Sequence, residues 1–395
     1  MPAPATAPTL GTIVREWGRI GCLGFGGPPA HVQLLRELVV TRRGWLASDD
    51  FEHGIAATNV LPGPASTQLA IYCAWRLRGI AGALVGGAAF IVPGLVLIIL
   101  LAALFLGHPP DWIRGVGAGA GAVVAAVAVQ AGVSLMPGSW SRAAGQAHRA
   151  RWIGYLLAGA VSTALLGPWL VLVLLACGAI ELLWRRADAG RASGTSGCAR
   201  AIAWPPLLVL AAATVTAGGL AALCWTAFKV GALSYGGGFV IIPLMQADAV
   251  EHYRWMTDGE FLNAVALGQA TPGPVTQTIA VVGYAAHGLG GALLASLVAF
   301  APSFSFILLG ADRFDRLRTQ PDARAFLDGA GPAAIGAIVG SAIPLALGLS
   351  QTWQIAVLAG GALLLFVARR GTVTTLLSAG AVGAIVALAG GPLSG

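Results

Sequence analysis

Charged side chains are scarce in this sequence. Only 10% of its 395 residues are Asp, Glu, Lys or Arg, whereas 57% are apolar. Water-soluble domains carry about 25% charged residues, so the chain lacks the polar surface that a soluble fold requires. The mean hydropathy of +0.79 agrees. The composition excludes a soluble enzyme, an extracellular protein and a disordered regulator, and predicts an integral membrane protein with many spans.

Lysine and cysteine are also rare. Lys229 is the only lysine, so the net charge of +7 comes almost entirely from arginines, which form short clusters between apolar stretches. Such clusters are typical of the cytoplasmic loops of membrane proteins, and they do not indicate a nucleic-acid partner. The five cysteines have neither zinc-site nor disulfide-framework spacing. We therefore expect no metal, no cofactor and no nucleic acid.

Apolar stretches long enough to cross a bilayer recur along the chain. The clearest, residues 79–107, contains no charged side chain and could form a tilted spanning helix. Gly167-Pro168 divides a later stretch and predicts a helical hairpin. The N-terminus lacks a basic segment before an apolar core, so we expect no cleaved signal peptide. The further candidate spans are residues 113–136, 152–166, 168–184, 205–226, 288–310, 327–349, 353–368 and 372–390.

The two halves of the sequence resemble each other. At an offset of 210 residues, GFGG from position 24 aligns with SYGG from position 234, and Pro-Gly-Pro at 62–64 aligns with Pro-Gly-Pro at 272–274. After one single-residue deletion the offset is 209, and Pro93 aligns with Pro302. We predict an internal duplication, with an N-terminal repeat over residues 12–184 and a C-terminal repeat over residues 204–390. Residues 185–203 are small, polar and charged, and predict a flexible cytoplasmic linker.

The arginine clusters predict that the repeats have opposite orientations. Arg76 and Arg78 precede the span 79–107, and no cluster follows it. The matching span 288–310 has no cluster before it and an arginine cluster at 313–324 after it. Because basic loops face the cytoplasm, the first span should run outward and the second inward. The predicted fold class is all-α: a polytopic membrane protein of two homologous halves in an inverted-topology repeat, with broken or re-entrant helices.

Two segments of each repeat contain too much glycine and proline for a continuous helix. They are the glycine-rich segments that begin at Gly21 and Gly231, and the two Pro-Gly-Pro segments. Non-helical backbone at membrane depth is tolerated only where protein or a water-lined cavity covers it. Pro64 and Pro274 suit the first position of a new helix, whose free N–H groups and positive dipole end attract anions. Two such N-termini would suit a small oxyanion, although a lone Pro-Gly-Pro is more often a plain helix connection.

A pair of cations extends this predicted site. Arg19 and Lys229 occupy equivalent positions before the glycine-rich segments, and an intramembrane cation indicates a functional site, with snorkelling to the interface as the alternative. His31 and Glu181 are weaker candidates for coupling to protons. The predicted substrate-binding residues are Gly26, Gly27, Pro62, Gly63, Pro64, Ser66, Thr67, Gln68, Gly236, Gly237, Pro272, Gly273, Pro274, Thr276, Gln277, Arg19 and Lys229.

These segments resemble those of a known family. GFGGPPAHVQLLRELVV and LPGPASTQLAIYCAWRLRGIAGALVGG look like the N-terminal domain of the chromate ion transporter family, and FKVGALSYGGGFVIIPLMQ with GQATPGP resembles its second copy. The resemblance covers nearly all of residues 12–390. It implies a long-chain, two-domain member that exports chromate across the bacterial inner membrane, uses the proton-motive force and confers chromate resistance. Val275-Thr276-Gln277 and Asp49-Asp50 depart from the family pattern and leave the substrate range open.

Three other functions are considered. A carrier of sulfate or another small oxyanion fits the same helix N-termini, since chromate and sulfate are both tetrahedral dianions. A membrane-embedded enzyme is disfavoured by the lack of zinc-ligand spacing, a nucleophile elbow or an acid pair at membrane depth. A channel would conduct without a driving ion. The expected partners are the oxyanion, the lipid bilayer and protons as coupling ion, and a homodimer is left open.

Overall fold

The computed structural model describes residues 8–25, 27–58, 61, 63–107, 109–143, 145–166, 170–193, 219–234, 241–310 and 320–393. Throughout these residues the regular secondary structure is helical. Within them, four helical stretches are long and apolar enough to cross a membrane: Ala65–Phe105, Asp111–Arg142, Val275–Gly310 and Arg324–Leu347. Shorter apolar helices cover Leu220–Leu233, Thr352–Val367 and Thr372–Leu388. The predicted all-α, polytopic membrane fold is confirmed.

The helices of the two halves follow one another in a similar order. In the first half they are α1 (Leu10–Leu23), α2 (Pro28–Arg36) with the π-helical turn Glu37–Arg42, α3 (Ser48–Thr58), α4 (Ala65–Phe105), α5 (Asp111–Ala122), α6 (Val124–Arg142), α7 (Gln146–Leu166) and α8 (Leu170–Ser193). In the second half they are α9 (Leu220–Leu233), α10 (Ile241–Gln246) with the π-helical turn Ala247–His252, α11 (Asp258–Ala270), the 3₁₀ turn Val275–Gln277, α12 (Thr278–Gly310), α13 (Pro321–Gly340), α14 (Ala342–Leu347), α15 (Thr352–Ala362) with the π-helical turn Leu363–Val367, and α16 (Thr372–Leu388).

The long helices α4 and α12 are broken at corresponding points. Arg78 and Gly79 leave the helical region in α4, with Gly79 at φ 58° and ψ −146°. His287 and Gly288 do the same in α12, with Gly288 at φ 61° and ψ −152°. This backbone conformation is essentially restricted to glycine. Each predicted span (79–107 and 288–310) therefore begins at a glycine break, and a further helical segment precedes it.

The later segments of α4 and α12 pack side by side in opposite directions. Gly87 of α4 lies against Phe304 of α12. Phe90 shares one core with Phe300 near the end of α12, whereas Ile98 shares another with Ala292 nearer its start. The two cores thus follow each other in opposite order along the two helices.

Helices of the two halves also pack on each other through small residues. α5 packs on α16, and α13 packs on α7 and α8. Gly115 and Gly383 bring the backbones of α5 and α16 into contact, and Gly336 does so for α13 and α7 at Leu156. Small residues at such crossings let helix backbones approach closely in a membrane.

Part of the predicted linker is helical. We expected a flexible connector from residue 185, but α8 continues to Ser193. Arg185 pairs with Glu181 and Asp328, and Arg186 pairs with Asp322, so the first two residues of the predicted linker are held in place. The linker itself stays a prediction. Gly167-Pro168 and residues 194–218 lie outside the described residues.

Candidate functional site

The first Pro-Gly-Pro segment ends one helix and starts another. α3 ends at Thr58, and α4 begins at Ala65 with Pro64 as its N-cap. Gly63 has φ 118°, which favours glycine. The N–H groups of Thr67 and Gln68 donate to the Pro64 carbonyl at 3.0 Å each. Those of Ala65 and Ser66 precede the helical hydrogen-bond ladder, as the first N–H groups of any helix do.

The second Pro-Gly-Pro segment also ends one helix and precedes another, but a 3₁₀ turn comes before the second helix. α11 ends at Ala270, and Gly273 has φ 104°. The 3₁₀ turn at 275–277 follows Pro274, and α12 begins only at Thr278. We expected this helix to start directly after Pro274. The β-branched Val275 and Thr276 crowd the first turn of an α-helix, and 3₁₀ turns are common at helix N-termini.

Each Pro-Gly-Pro segment lies against a helix of the other repeat. A Cβ atom at Gly63 would lie 3.4 Å from the Ser303 Oγ of α12. In the second segment, the Gln277 amide Nε2 donates to the Ile91 carbonyl of α4 at 2.7 Å, and the Pro272 carbonyl packs on Gly94. Gly94 and Ser303 occupy equivalent positions, one residue after Pro93 and Pro302. The two contacts are therefore reciprocal between the repeats.

His31 links the two segments. Its Nε2 lies 2.9 Å from the Gly24 carbonyl oxygen, which also accepts the Gly273 N–H at 3.1 Å. Because a carbonyl only accepts, Nε2 donates, and in the neutral ring Nδ1 accepts the Ser66 hydroxyl at 3.2 Å. The ring is fully buried, with the Phe90 ring edge-on at 5.0 Å. In the sequence, the only indication that His31 links the two segments is its position directly after the glycine-rich segment, in PPAH.

Several buried hydroxyls around the two segments have no protein partner among the described residues. They are the side-chain oxygens of Thr67, Thr276 and Ser303, all fully buried; the buried Ser234 hydroxyl, directly after α9, has no protein partner in the described part of the chain either. Leaving a buried polar group without a hydrogen bond costs about 1–3 kcal/mol, so these hydroxyls are candidate hydrogen-bond partners for a bound ligand. Ser303 and Ser234 were not among the predicted residues.

The predicted cations show no contact with these hydroxyls among the described residues. Lys229 Nζ pairs with Asp248 Oδ2 at 2.5 Å, and the Thr226 hydroxyl donates to the same oxygen at 2.8 Å. The Arg19 side chain is exposed. The structure thus brings neither cation to the Pro-Gly-Pro segments in the contacts it shows. Asp248 was missed, although it is an isolated acid beside the apolar run IIPLM.

Other predicted residues have simpler placements. Gly27 precedes α2 as its N-cap with φ 73°. Gly26, Pro62, Gly236 and Gly237 lie outside the described residues. Glu181, considered for proton coupling, is buried and accepts hydrogen bonds from Arg151 at 2.8 Å, Arg185 at 2.9 Å and Tyr155 at 3.2 Å. It anchors an ion cluster between the two halves.

Comparison with known proteins places the chain in a family. The model of the family described as "Chromate transporter" matches residues 11–182 and 221–385. The chain belongs to this family. It is 31% identical to a chromate transport protein of Cupriavidus metallidurans over 86% of the chain and 84% of that relative. It is also 31% identical to one of Pseudomonas aeruginosa, over 88% and 82% respectively.

A more distant relative also shares most of the chain's length. An uncharacterized transporter of Methanocaldococcus jannaschii is 26% identical over 79% of the chain and 78% of that protein. No solved structure matches the chain. The family and the apolar helices together identify a multi-pass membrane protein of a transporter family.

Proposed function

We propose that this protein is a secondary transporter that exports chromate across the bacterial inner membrane. The observation that carries the proposal is the pair of Pro-Gly-Pro segments, each of which starts a helix amid buried hydroxyls without protein partners. Chromate is proposed as the substrate because two of the relatives are named chromate transport proteins. Sulfate or another small oxyanion is the alternative substrate.

The chemistry of these segments suits a dianion. Each helix start carries roughly half a unit of positive charge, and free N–H groups and hydroxyls add neutral donors. Neutral donors can hold an ion strongly enough to select it and weakly enough to release it. The proposed binding residues are the predicted residues of the glycine-rich and Pro-Gly-Pro segments, and His31 holds the Ser66 hydroxyl in place.

The repeats are proposed to be related by inverted topology. The antiparallel course of the later segments of α4 and α12 supports this, as do the reciprocal contacts of Gly94 and Ser303. In such transporters, alternating access arises from rocking one repeat against the other around a fixed site. We further propose that protons drive export and that export gives chromate resistance. A homodimer is left open.

Chromate uptake into everted membrane vesicles tests the function. Energised vesicles that contain the protein should accumulate chromate, a protonophore should abolish the accumulation, and excess sulfate should reduce it if the site holds both ions. Accumulation unaffected by the protonophore would contradict proton coupling. Absence of chromate uptake together with sulfate uptake would favour the alternative substrate.

The Pro-Gly-Pro segments are tested by bulky substitution. Gly63→Val places a β-branched residue at φ 118°, where a Cβ would also meet the Gln68 side chain, so transport should be abolished while membrane insertion is retained. Gly273→Val should act similarly. Gly138→Ala is the control, because Gly138 faces open space and has no positive φ. Normal transport by both valine variants would remove the segments from the site.

A further inference from the structure

The two Pro-Gly-Pro segments are equivalent in sequence but not in their surroundings. Ser303, contributed by the second repeat, faces Gly63 of the first segment, whereas the equivalent position facing the second segment is Gly94. The first segment therefore has a hydroxyl from the opposite repeat. At the equivalent position, the second segment meets only backbone, because the Pro272 carbonyl packs directly on Gly94.

Two donors of the second segment are already engaged, whereas the Thr276 hydroxyl has no protein partner among the described residues. The Gly273 N–H donates to the Gly24 carbonyl at 3.1 Å, and the Gln277 amide donates to the Ile91 carbonyl at 2.7 Å.

The first segment has an additional donor, which the second repeat supplies. The Ser303 hydroxyl is fully buried, 3.4 Å from the position of a Gly63 Cβ, and has no protein partner among the described residues. A helical serine can donate to the carbonyl four residues earlier, as Ser305 does to Ala301 at 2.9 Å. Ser303 does not, so its donor is free for another acceptor. Thr67, in the first turn of α4, is likewise buried and without a partner.

We propose that the oxyanion is held mainly at the first segment, by the N-terminus of α4 together with the Thr67 and Ser303 hydroxyls. Ser303 is thus a binding residue that the second repeat supplies to the first. The second segment chiefly holds the repeats together, through its hydrogen bonds to Gly24 and Ile91. The inference rests on the proposed function and assigns its site to one half.

Binding of radiolabelled sulfate and chromate to the purified full-length protein tests this inference. A hydrogen bond to a charged group contributes enough that Ser303→Ala and Thr67→Val should each raise the dissociation constant about tenfold or more. Thr276→Val, the equivalent change in the second segment, should raise it less than Thr67→Val does, and Ser305→Ala, on the same helix as Ser303, should change it less than about twofold. Thermal unfolding without ligand should show that all four variants are folded.

The outcomes separate this inference from the proposed function. If the wild-type protein bound neither ion, the proposed function would fail. If it bound an ion and Thr276→Val weakened binding as much as Thr67→Val, the site would be shared equally and the inference would be overturned. Unchanged binding by folded Ser303→Ala would overturn it as well.

Discussion

At the scale of single residues, buried charges are compensated within each repeat, but with opposite arrangements. In the second repeat α9 supplies Lys229, and the π-helical turn after α10 supplies Asp248. In the first repeat α1 supplies the carboxylate, Glu16, and Arg42 and Arg43 of the corresponding region pair with it at 2.8 and 2.6 Å. The same two elements are thus tied by an ion pair in each half. Because Lys229 is neutralised by Asp248, it exerts little net attraction on an anion.

We expect Lys229→Ala to lower the free energy of unfolding by about 3–5 kcal/mol, because it leaves the buried Asp248 carboxylate uncompensated. The double variant Lys229→Ala/Asp248→Ala should recover most of the stability and of the transport. Thermal unfolding in detergent measures the stability, and chromate uptake into vesicles measures the transport. A double variant that is stable but transports nothing would instead support the anion-attracting role predicted from the sequence.

At the scale of secondary-structure elements, the breaks in α4 and α12 show why glycine is needed at two positions. Gly79 and Gly288 have nearly identical backbone angles, and a Cβ at either would meet no other atom within 4 Å. Glycine is therefore required at these positions because of the backbone angles, and not because neighbouring atoms would clash with a side chain. The breaks let each long helix change direction where the spanning segment begins.

Gly79→Ala should lower the free energy of unfolding by about 1–3 kcal/mol, since the substituted residue must adopt a strained conformation. Gly154→Ala is the matched control, because Gly154 is an exposed helical glycine with open space around it. Alanine there should raise stability by up to about 1 kcal/mol. Equal effects of both substitutions on thermal unfolding would show that the break at Gly79 imposes no strain.

At the scale of the whole molecule, an ion cluster joins the two halves at one end. Glu181 of α8 accepts from Arg151 and Arg185, and Arg185 also reaches Asp328 of α13 at 2.8 Å. Nearby, the hydrogen bond from Arg186 lowers the pKa of Asp322 below its usual value. These arginines belong to the clusters predicted to be cytoplasmic, so the cluster is expected to lie on that side of the membrane.

Glu181→Ala should be much more destabilising than Arg186→Ala. The Glu181 carboxylate is buried, and its removal leaves Arg151 and Arg185 without their shared partner, at a cost of about 3–5 kcal/mol. The Arg186–Asp322 pair is partly exposed, with Asp322 at 41%, and such pairs contribute about 0–1 kcal/mol. Thermal unfolding of the two variants should differ clearly. Equal melting temperatures would mean that the cluster does not hold the halves together.

Opposite membrane orientations of the repeats are tested with single cysteines in a cysteine-free background. Pro110→Cys, before α5, should be labelled from outside, and Gln320→Cys, before α13, only from the cytoplasm. Both residues are exposed, so a membrane-impermeant thiol reagent can reach them. Labelling of both from the same side would contradict the inverted repeat.

The sequence by itself determined the membrane class, the helical fold and the start of helices after Pro64 and near Pro274, because composition, glycine and proline act locally. It also predicted the pairing of equivalent positions, because similar segments recur in both halves of the sequence. Only the tertiary structure decided which partners these residues have. His31 meets Ser66 across 35 positions, and Gln277 meets Ile91 across 186. Such contacts depend on how helices cross, and a periodic apolar pattern does not specify this, so the link through His31, the Lys229–Asp248 pair and the unequal positions of Gly94 and Ser303 emerged only on folding.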